Sequence, residues 1–194
     1  MTHLLYLHGF LSSEKSVKAL QTKAFFREHY PDVTLHIPRL SNYPGEVRTQ
    51  LETLLAENPG LLSHGLRLIG SSMGGYLSTW LAETYGGKAV LVNPAVRPYA
   101  LLEGYLGEHV NPYTNERFTL VEDDIHALQA LDTPVITLPA RYRVLLQTGD
   151  ETLDYRQAEE KYQGADLVIE DGGDHSFVNY EAHLPAIARF LLGD

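Results

Sequence analysis

The sequence predicts a three-layer α/β/α sandwich around a mainly parallel six-stranded sheet, and three observations carry that expectation. Short apolar runs alternate with longer amphipathic ones along the chain. Several short runs are apolar at nearly every residue, as expected of strands covered on both faces. A length of 194 residues with 44% hydrophobic and 21% charged residues suits one globular domain with a full core. Disorder and collagen-like structure are excluded.

In chain order, residues 4–7 read as a strand ending at His8-Gly9, followed by a helix over 15–29. A strand at 33–37 leads to a helix over 46–57, where Val47, Leu51, Leu54 and Leu55 fall at i, i+4, i+7 and i+8 and share one face. A strand at 66–69 enters a glycine-rich turn and then a helix over 75–85, and a strand at 89–92 follows. Farther on, strands at 144–146 and 167–169 accompany helices over 122–131, 155–162 and 180–192. Such alternation, with right-handed crossovers, builds a parallel sheet between helical layers. Residues 94–141 depart from this rhythm, with Pro94, Pro98, Pro112, Pro134 and Pro139, several tyrosines and no clear strand. This stretch is too long for a simple connection. It reads as a cap-like insertion, about 95–140, within a single domain of 1–194.

Fifteen Lys and Arg against 25 Asp and Glu give a net charge of −10. Such a surface repels phosphate backbones and anionic lipid, so neither nucleic acid nor membrane is expected as a partner. The absence of cysteine removes disulfides, thiolate catalysis and Cys-ligated metals. No apolar run approaches the ~18–20 residues that span a bilayer, and no basic flank precedes the first apolar segment. A cytoplasmic protein is expected.

Gly70-Ser71-Ser72-Met73-Gly74 has the pattern G-x-S-x-G, between a buried strand and a helix. A serine on a tight strand-to-helix turn projects its hydroxyl from the sheet's carboxyl edge, and residues two before and two after must be small. Gly70 and Gly74 meet that need around Ser72; around Ser71 the same positions hold Ile69 and Met73. The bland alternative is an ordinary glycine turn. A hydroxyl nucleophile needs a base, and in this type of fold the order is Ser, then Asp or Glu, then His. His175, in the loop Gly172-Gly173-Asp174-His175-Ser176 after the last strand, fits that order. His3, His29, His36, His126 and His183 sit on strands or helices and read as structural, while His8 could line the site. For the acid, Asp150 follows the strand at 144–146, and Asp154 is the rival. Asp154 also reads as a helix N-cap, with Gln157 at the third helical position, which favours Asp150. Backbone N–H groups of Met73, after the nucleophile, and Phe10, after the turn at Gly9, are the expected oxyanion donors.

With these residues in place, the chain resembles the α/β-hydrolase superfamily over nearly its whole length. The matching segments are His8-Gly9-Phe10, the Ser72 turn, Gly149 to Asp154 and Gly173 to Phe177. The short chain and the Gly-Ser-Ser-Met-Gly-Gly-Tyr turn are similar to YqiA-type small bacterial esterases. The resemblance implies a minimal α/β-hydrolase fold with sheet order 2-1-3-4-5-6, lacking the superfamily's leading antiparallel strands. It implies carboxylic-ester hydrolysis by Ser72, His175 and Asp150 on a small-molecule ester, with no cofactor and no metal. Thr152 stands where the superfamily often has an apolar residue after its acid. Tyr99, Leu102 and Tyr105 in the insertion, with Leu101, Leu106 and Tyr113, are candidates to wall an acyl pocket for short-to-medium chains. A thioesterase or other acyl hydrolase could use the same triad, and a non-catalytic binding protein could keep the fold.

Overall fold

The computed structural model describes residues 2–193. Six strands, β1 (Thr2–Leu7), β2 (Val33–His36), β3 (Leu66–Ser71), β4 (Gly87–Val92), β7 (Tyr142–Gln147) and β8 (Asp166–Glu170), form one sheet in the order β2-β1-β3-β4-β7-β8. Every pairing in it is parallel, with Leu68 opposite Ala89 and Leu145 opposite Val168, for example. Counted among themselves, these strands run 2-1-3-4-5-6, as the resemblance implied.

Alternation along the strands divides the core between two faces. Leu4, Tyr6, Ile69, Val90 and Leu145 pack under α1 (Val17–His29) and α7 (Tyr180–Leu192). Leu5, Leu7, Leu68, Leu91 and Val144 pack under α2 (Pro44–Glu57), α3 (Met73–Tyr85) and α6 (Tyr155–Lys161). Each fully buried Leu contributes roughly 1.5–3 kcal/mol of transfer free energy, so both layers are held by their apolar faces. In α2 that face is Val47, Leu51 and Leu55, and Pro44 opens the helix where a missing N–H costs nothing. No helix among the described residues is long and apolar enough to cross a membrane.

The insertion differs from expectation. Between β4 and β7 lie α4 (Pro98–Leu102), an antiparallel hairpin of β5 (Gly107–Val110) and β6 (Arg117–Leu120), and α5 (Glu122–Gln129). The hairpin escapes an apolar-run reading because its strands are four residues long and bury little beyond Phe118 and Leu120. Asn111 holds its turn by accepting from Tyr113 N–H at 2.9 Å and ties it to the body by donating to the Ser12 carbonyl at 3.1 Å. Asp124 accepts from Gly45 N–H at 3.0 Å and Val121 N–H at 3.2 Å, which joins the starts of α2 and α5. Because all six sheet strands point one way, the loops after Leu7, Ser71, Val92, Gln147 and Glu170 gather at one edge.

Candidate active site

Ser72 stands between β3 and α3 with φ 56° and ψ −121°, a conformation that side chains rarely adopt. Its backbone is pinned from two sides. Ser72 N–H donates to the Val92 carbonyl at 3.1 Å, and the Ser72 carbonyl accepts from Gly75 at 2.9 Å and Ala95 at 3.1 Å. A Cβ on Gly70 would lie 2.3 Å from the Gly74 carbonyl oxygen, and one on Gly74 would lie 2.0 Å from that of Leu7. The small-residue requirement is therefore a backbone-on-backbone contact. Backbone cannot move aside as a side chain tip can, so Gly74→Ala is expected to cost about 3 kcal/mol or more. For a chain of this size that is roughly 6–12 °C in Tm, readable by calorimetry. A Tm unchanged within about 2 °C would contradict the packing described.

His175 connects the two remaining groups. Its Nε2 is 3.1 Å from Ser72 Oγ, and its Nδ1 is 2.9 Å from Asp150 Oδ2 and 3.0 Å from Oδ1. A carboxylate only accepts, so Nδ1 carries the proton and Nε2 presents its lone pair to the serine hydroxyl. The Asp150 side chain is 2% exposed, and its Oδ1 also accepts from Thr152 N–H at 2.9 Å and Leu153 N–H at 2.8 Å. Backbone supplies those two donors, so threonine at 152 leaves the carboxylate as firmly held as an apolar residue would. Asp154 lies elsewhere, capping α6 by accepting from Arg156 N–H at 3.1 Å.

The His175 loop is held by residues that sequence reasoning missed. Buried Asn93 donates to the Asp174 carbonyl at 3.0 Å, while its Oδ1 accepts from Gln147 N–H at 3.0 Å. Buried Gln147 accepts from Asp174 N–H at 3.2 Å and Val178 N–H at 2.9 Å, and donates to the Val178 carbonyl at 2.9 Å. Both are polar residues at the carboxyl ends of otherwise apolar strands, which is the signal that could have found them. Glu151 accepts from His175 N–H at 2.9 Å, and that bond lowers its carboxyl pKa.

On the other side of Ser72 lies the loop after β1. A Cβ on Gly9 would sit 3.2 Å from Ser72 Cβ, so glycine lets this loop approach the serine closely. Among the described residues, neither Phe10 N–H nor Met73 N–H donates to a protein acceptor. The Phe10 ring packs edge-on against Phe118 of the hairpin, with centroids 5.9 Å apart. His8 braces the loop: Nδ1–H donates to the Gly9 carbonyl at 2.9 Å and Nε2 accepts from Leu40 N–H at 3.1 Å.

Burial lowers the pKa of His8, more than the Gly9 carbonyl raises it. The folded value thus lies below the unfolded value of about 6.5, and acidification favours the unfolded chain as pH falls from there toward the folded value. The His8→Gln protein should lose less Tm than wild type between about pH 7 and pH 5.5, because it lacks this titration. Equal losses would remove His8 from the acid response.

A cavity of about 520 Å³ opens beside Ser72 and His175, walled by the β1 loop, the start of α1, Tyr113 of the hairpin turn, and residues 174–181. Five of the six expected pocket residues, Tyr99, Leu101, Leu102, Tyr105 and Leu106, are not in its wall, and Leu101 and Leu106 are exposed. Tyr99 donates to Asp132 Oδ2 at 2.9 Å, Leu102 belongs to the core, and Tyr105 is exposed beside His109. The reason is the placement of α4, which packs against α5. Tyr113 does line the cavity.

Solved structures share this architecture. A protein from Agrobacterium vitis S4 superposes with a TM-score of 0.73 at 20% identity, over 98% of this chain and 88% of that one. Est1E of Butyrivibrio proteoclasticus, with ferulic acid bound, gives 0.70 at 14% identity, over 100% and 89%. The esterase domain of a Rhodothermus marinus protein gives 0.67 at 17% identity, over 99% and 85%. At these identities the likeness shows the fold, which is that of the α/β hydrolases. The family model described as Uncharacterised protein family (UPF0227) matches residues 3–192. The chain therefore belongs to UPF0227.

Proposed function

We propose that this protein is a serine hydrolase that cleaves carboxylic esters of small molecules through an acyl-enzyme on Ser72. The reading rests on the chain of contacts from the Asp150 carboxylate through the His175 imidazole to the Ser72 hydroxyl. In this cycle His175 Nε2 takes the serine proton as Oγ attacks the ester carbonyl. Asp150 holds the imidazole in the required tautomer and stabilises the imidazolium. Phe10 and Met73 N–H groups receive the oxyanion, and the uncapped start of α3 adds a favourable dipole. The alcohol leaves with the proton from His175, and water activated by the same nitrogen cleaves the acyl-enzyme. No metal or cofactor takes part. The setting is a cytoplasmic one, compatible with a chain free of cysteine.

A cavity of about 520 Å³ beside Ser72 has room for a compact ester, its acyl and alcohol portions together, which suits short-to-medium acyl groups. The test is a series of p-nitrophenyl esters of increasing acyl length, with Ser72→Ala as control. Turnover that falls for long chains and disappears in the control is expected. Undiminished turnover in the control would reject the reading, and a higher kcat/KM on matched thioesters would reassign the substrate class.

A further inference from the structure

The carboxyl end of β7 carries the acid of the proposed relay and, indirectly, its base. The Gln147 carbonyl accepts from Asp150 N–H at 3.2 Å, and Gln147 N–H is held by Asn93 Oδ1. Its buried side chain meets the His175 loop, with Oε1 accepting from Asp174 and Val178 N–H and Nε2 donating to the Val178 carbonyl. The remaining capacity of the amide goes to Glu170, whose Oε2 accepts from Nε2 at 2.9 Å. Two backbone N–H groups can only donate, and a carbonyl and a carboxylate can only accept, so the amide fits in one orientation. Gly173, at φ 73°, leaves the space that this amide fills: a Cβ there would lie 1.9 Å from Oε1.

Among the partners of that amide, Glu170 is the one that carries charge. It is the last residue of β8, and its carbonyl accepts from Thr148 N–H at 2.9 Å, so its backbone is fixed to the end of β7. Its second oxygen, Oε1, is 3.0 Å from His183 Nε2 on α7; a carboxylate only accepts, so this nitrogen carries the proton. The His183 ring in turn packs edge-on against Phe177, with centroids 5.3 Å apart. Both oxygens of Glu170 are thus bonded, and a bond to an ionised acceptor is roughly twice as strong as one between neutral groups. The loop needs such an anchor, because Phe177 stands at φ 64°, a conformation that bulky side chains rarely adopt.

We infer that Glu170 is a positioning residue for His175. Its carboxylate holds the Gln147 amide, and the amide sets the place of residues 174–178 against Asp150, which hangs from the carbonyl of the same glutamine. The inference rests on the serine-hydrolase reading and adds a residue that acts at one remove from the triad. A misplacement of about 1 Å can cost about 10²-fold in rate, so a loosened amide is read in kcat, while KM should change little.

Glu170→Ala should lower kcat on a p-nitrophenyl ester by about tenfold, with KM within about twofold of wild type. Glu170→Gln, which keeps an acceptor oxygen for Gln147 Nε2, should stay within about threefold in kcat. Gln147→Glu sets a carboxylate against Glu170 and the Val178 carbonyl with no proton between them, and should lose about 10²-fold. Adding Glu170→Gln to it returns an N–H to that contact and should recover about tenfold, a rescue that two independent structural defects would not give. Each variant is assayed at a temperature where its thermal melt shows it folded, and if Gln147→Glu does not fold the two Glu170 variants decide alone. A Glu170→Ala kcat within about twofold of wild type, equal losses in the two Glu170 variants, or a double variant no better than Gln147→Glu would overturn the inference and leave the hydrolase reading standing. Amide hydrogen exchange at Asp174 and Val178 reads the clamp without turnover. Exchange about tenfold faster in Glu170→Ala and near wild type in Glu170→Gln is expected, and unchanged exchange in both would overturn the clamp. Should the expected exchange be found while wild type turns over no ester, the clamp stands and the hydrolase reading fails.

Discussion

Replacing Ser72 with alanine is expected to lower kcat on esters by about 10⁴-fold or more while leaving Tm within a few degrees of wild type. The size follows from the role: without Oγ no acyl-enzyme forms, and what remains is binding plus the oxyanion donors. The mild effect on stability follows from where Ser72 is held. Its structural bonds run through backbone N–H and carbonyl to Val92, Gly75 and Ala95, and alanine keeps all of them. The strained φ of 56° persists and costs alanine no more than it cost serine. Steady-state kinetics on a p-nitrophenyl ester and a thermal melt read both halves. A loss of less than tenfold in kcat would remove Ser72 as nucleophile.

The second large effect concerns the acid. Asp150→Asn should lower kcat by about 10³–10⁴-fold with little change in structure, because it inverts the tautomer of His175. In the wild type Oδ1 is occupied by Thr152 and Leu153 N–H, and Oδ2 takes the imidazole proton. Asparagine keeps its oxygen on those two backbone donors and turns its amide NH₂ toward Nδ1. That ring nitrogen must then accept, the proton moves to Nε2, and the lone pair facing Ser72 is gone. Asp154→Ala is the contrasting variant. It removes the cap of α6 at a cost of about 1 kcal/mol and should leave kcat nearly unchanged. The opposite pattern, activity lost at 154 and kept at 150, would give Asp154 the orienting role.

Much of this site could be read before any coordinates because its constraints are local. The small residues two before and two after Ser72 are set by one turn, and that turn meets Leu7 within a few residues of its own strand pair. The four central strands, β1, β3, β4 and β7, were legible because burial on both faces makes most of their residues apolar, while the half-buried edge strands β2 and β8 keep only short apolar runs. Where position depends on tertiary packing, the residues gave less away. The hairpin buries too few side chains to show alternation, although it braces the loop that carries Phe10. Asn93 and Gln147 are recognisable only once the His175 loop is seen to hang from them. Tyr99, Leu102 and Tyr105 have the composition of a pocket wall, but nothing in their sequence sets the placement of α4. The cavity beside Ser72 is instead walled by Tyr6 and by the first turn of α1, residues that read as strand and ordinary helix.

The most direct test is covalent. Treatment with a fluorophosphonate, followed by peptide mass spectrometry, should add one phosphonyl group to Ser72, rapidly in wild type and not at all in Ser72→Ala. Labelling should also be slowed in Asp150→Asn, since the hydroxyl would face an imidazole already protonated on the wrong nitrogen. A protein that stays unlabelled, or carries its adduct on another residue, would contradict the account.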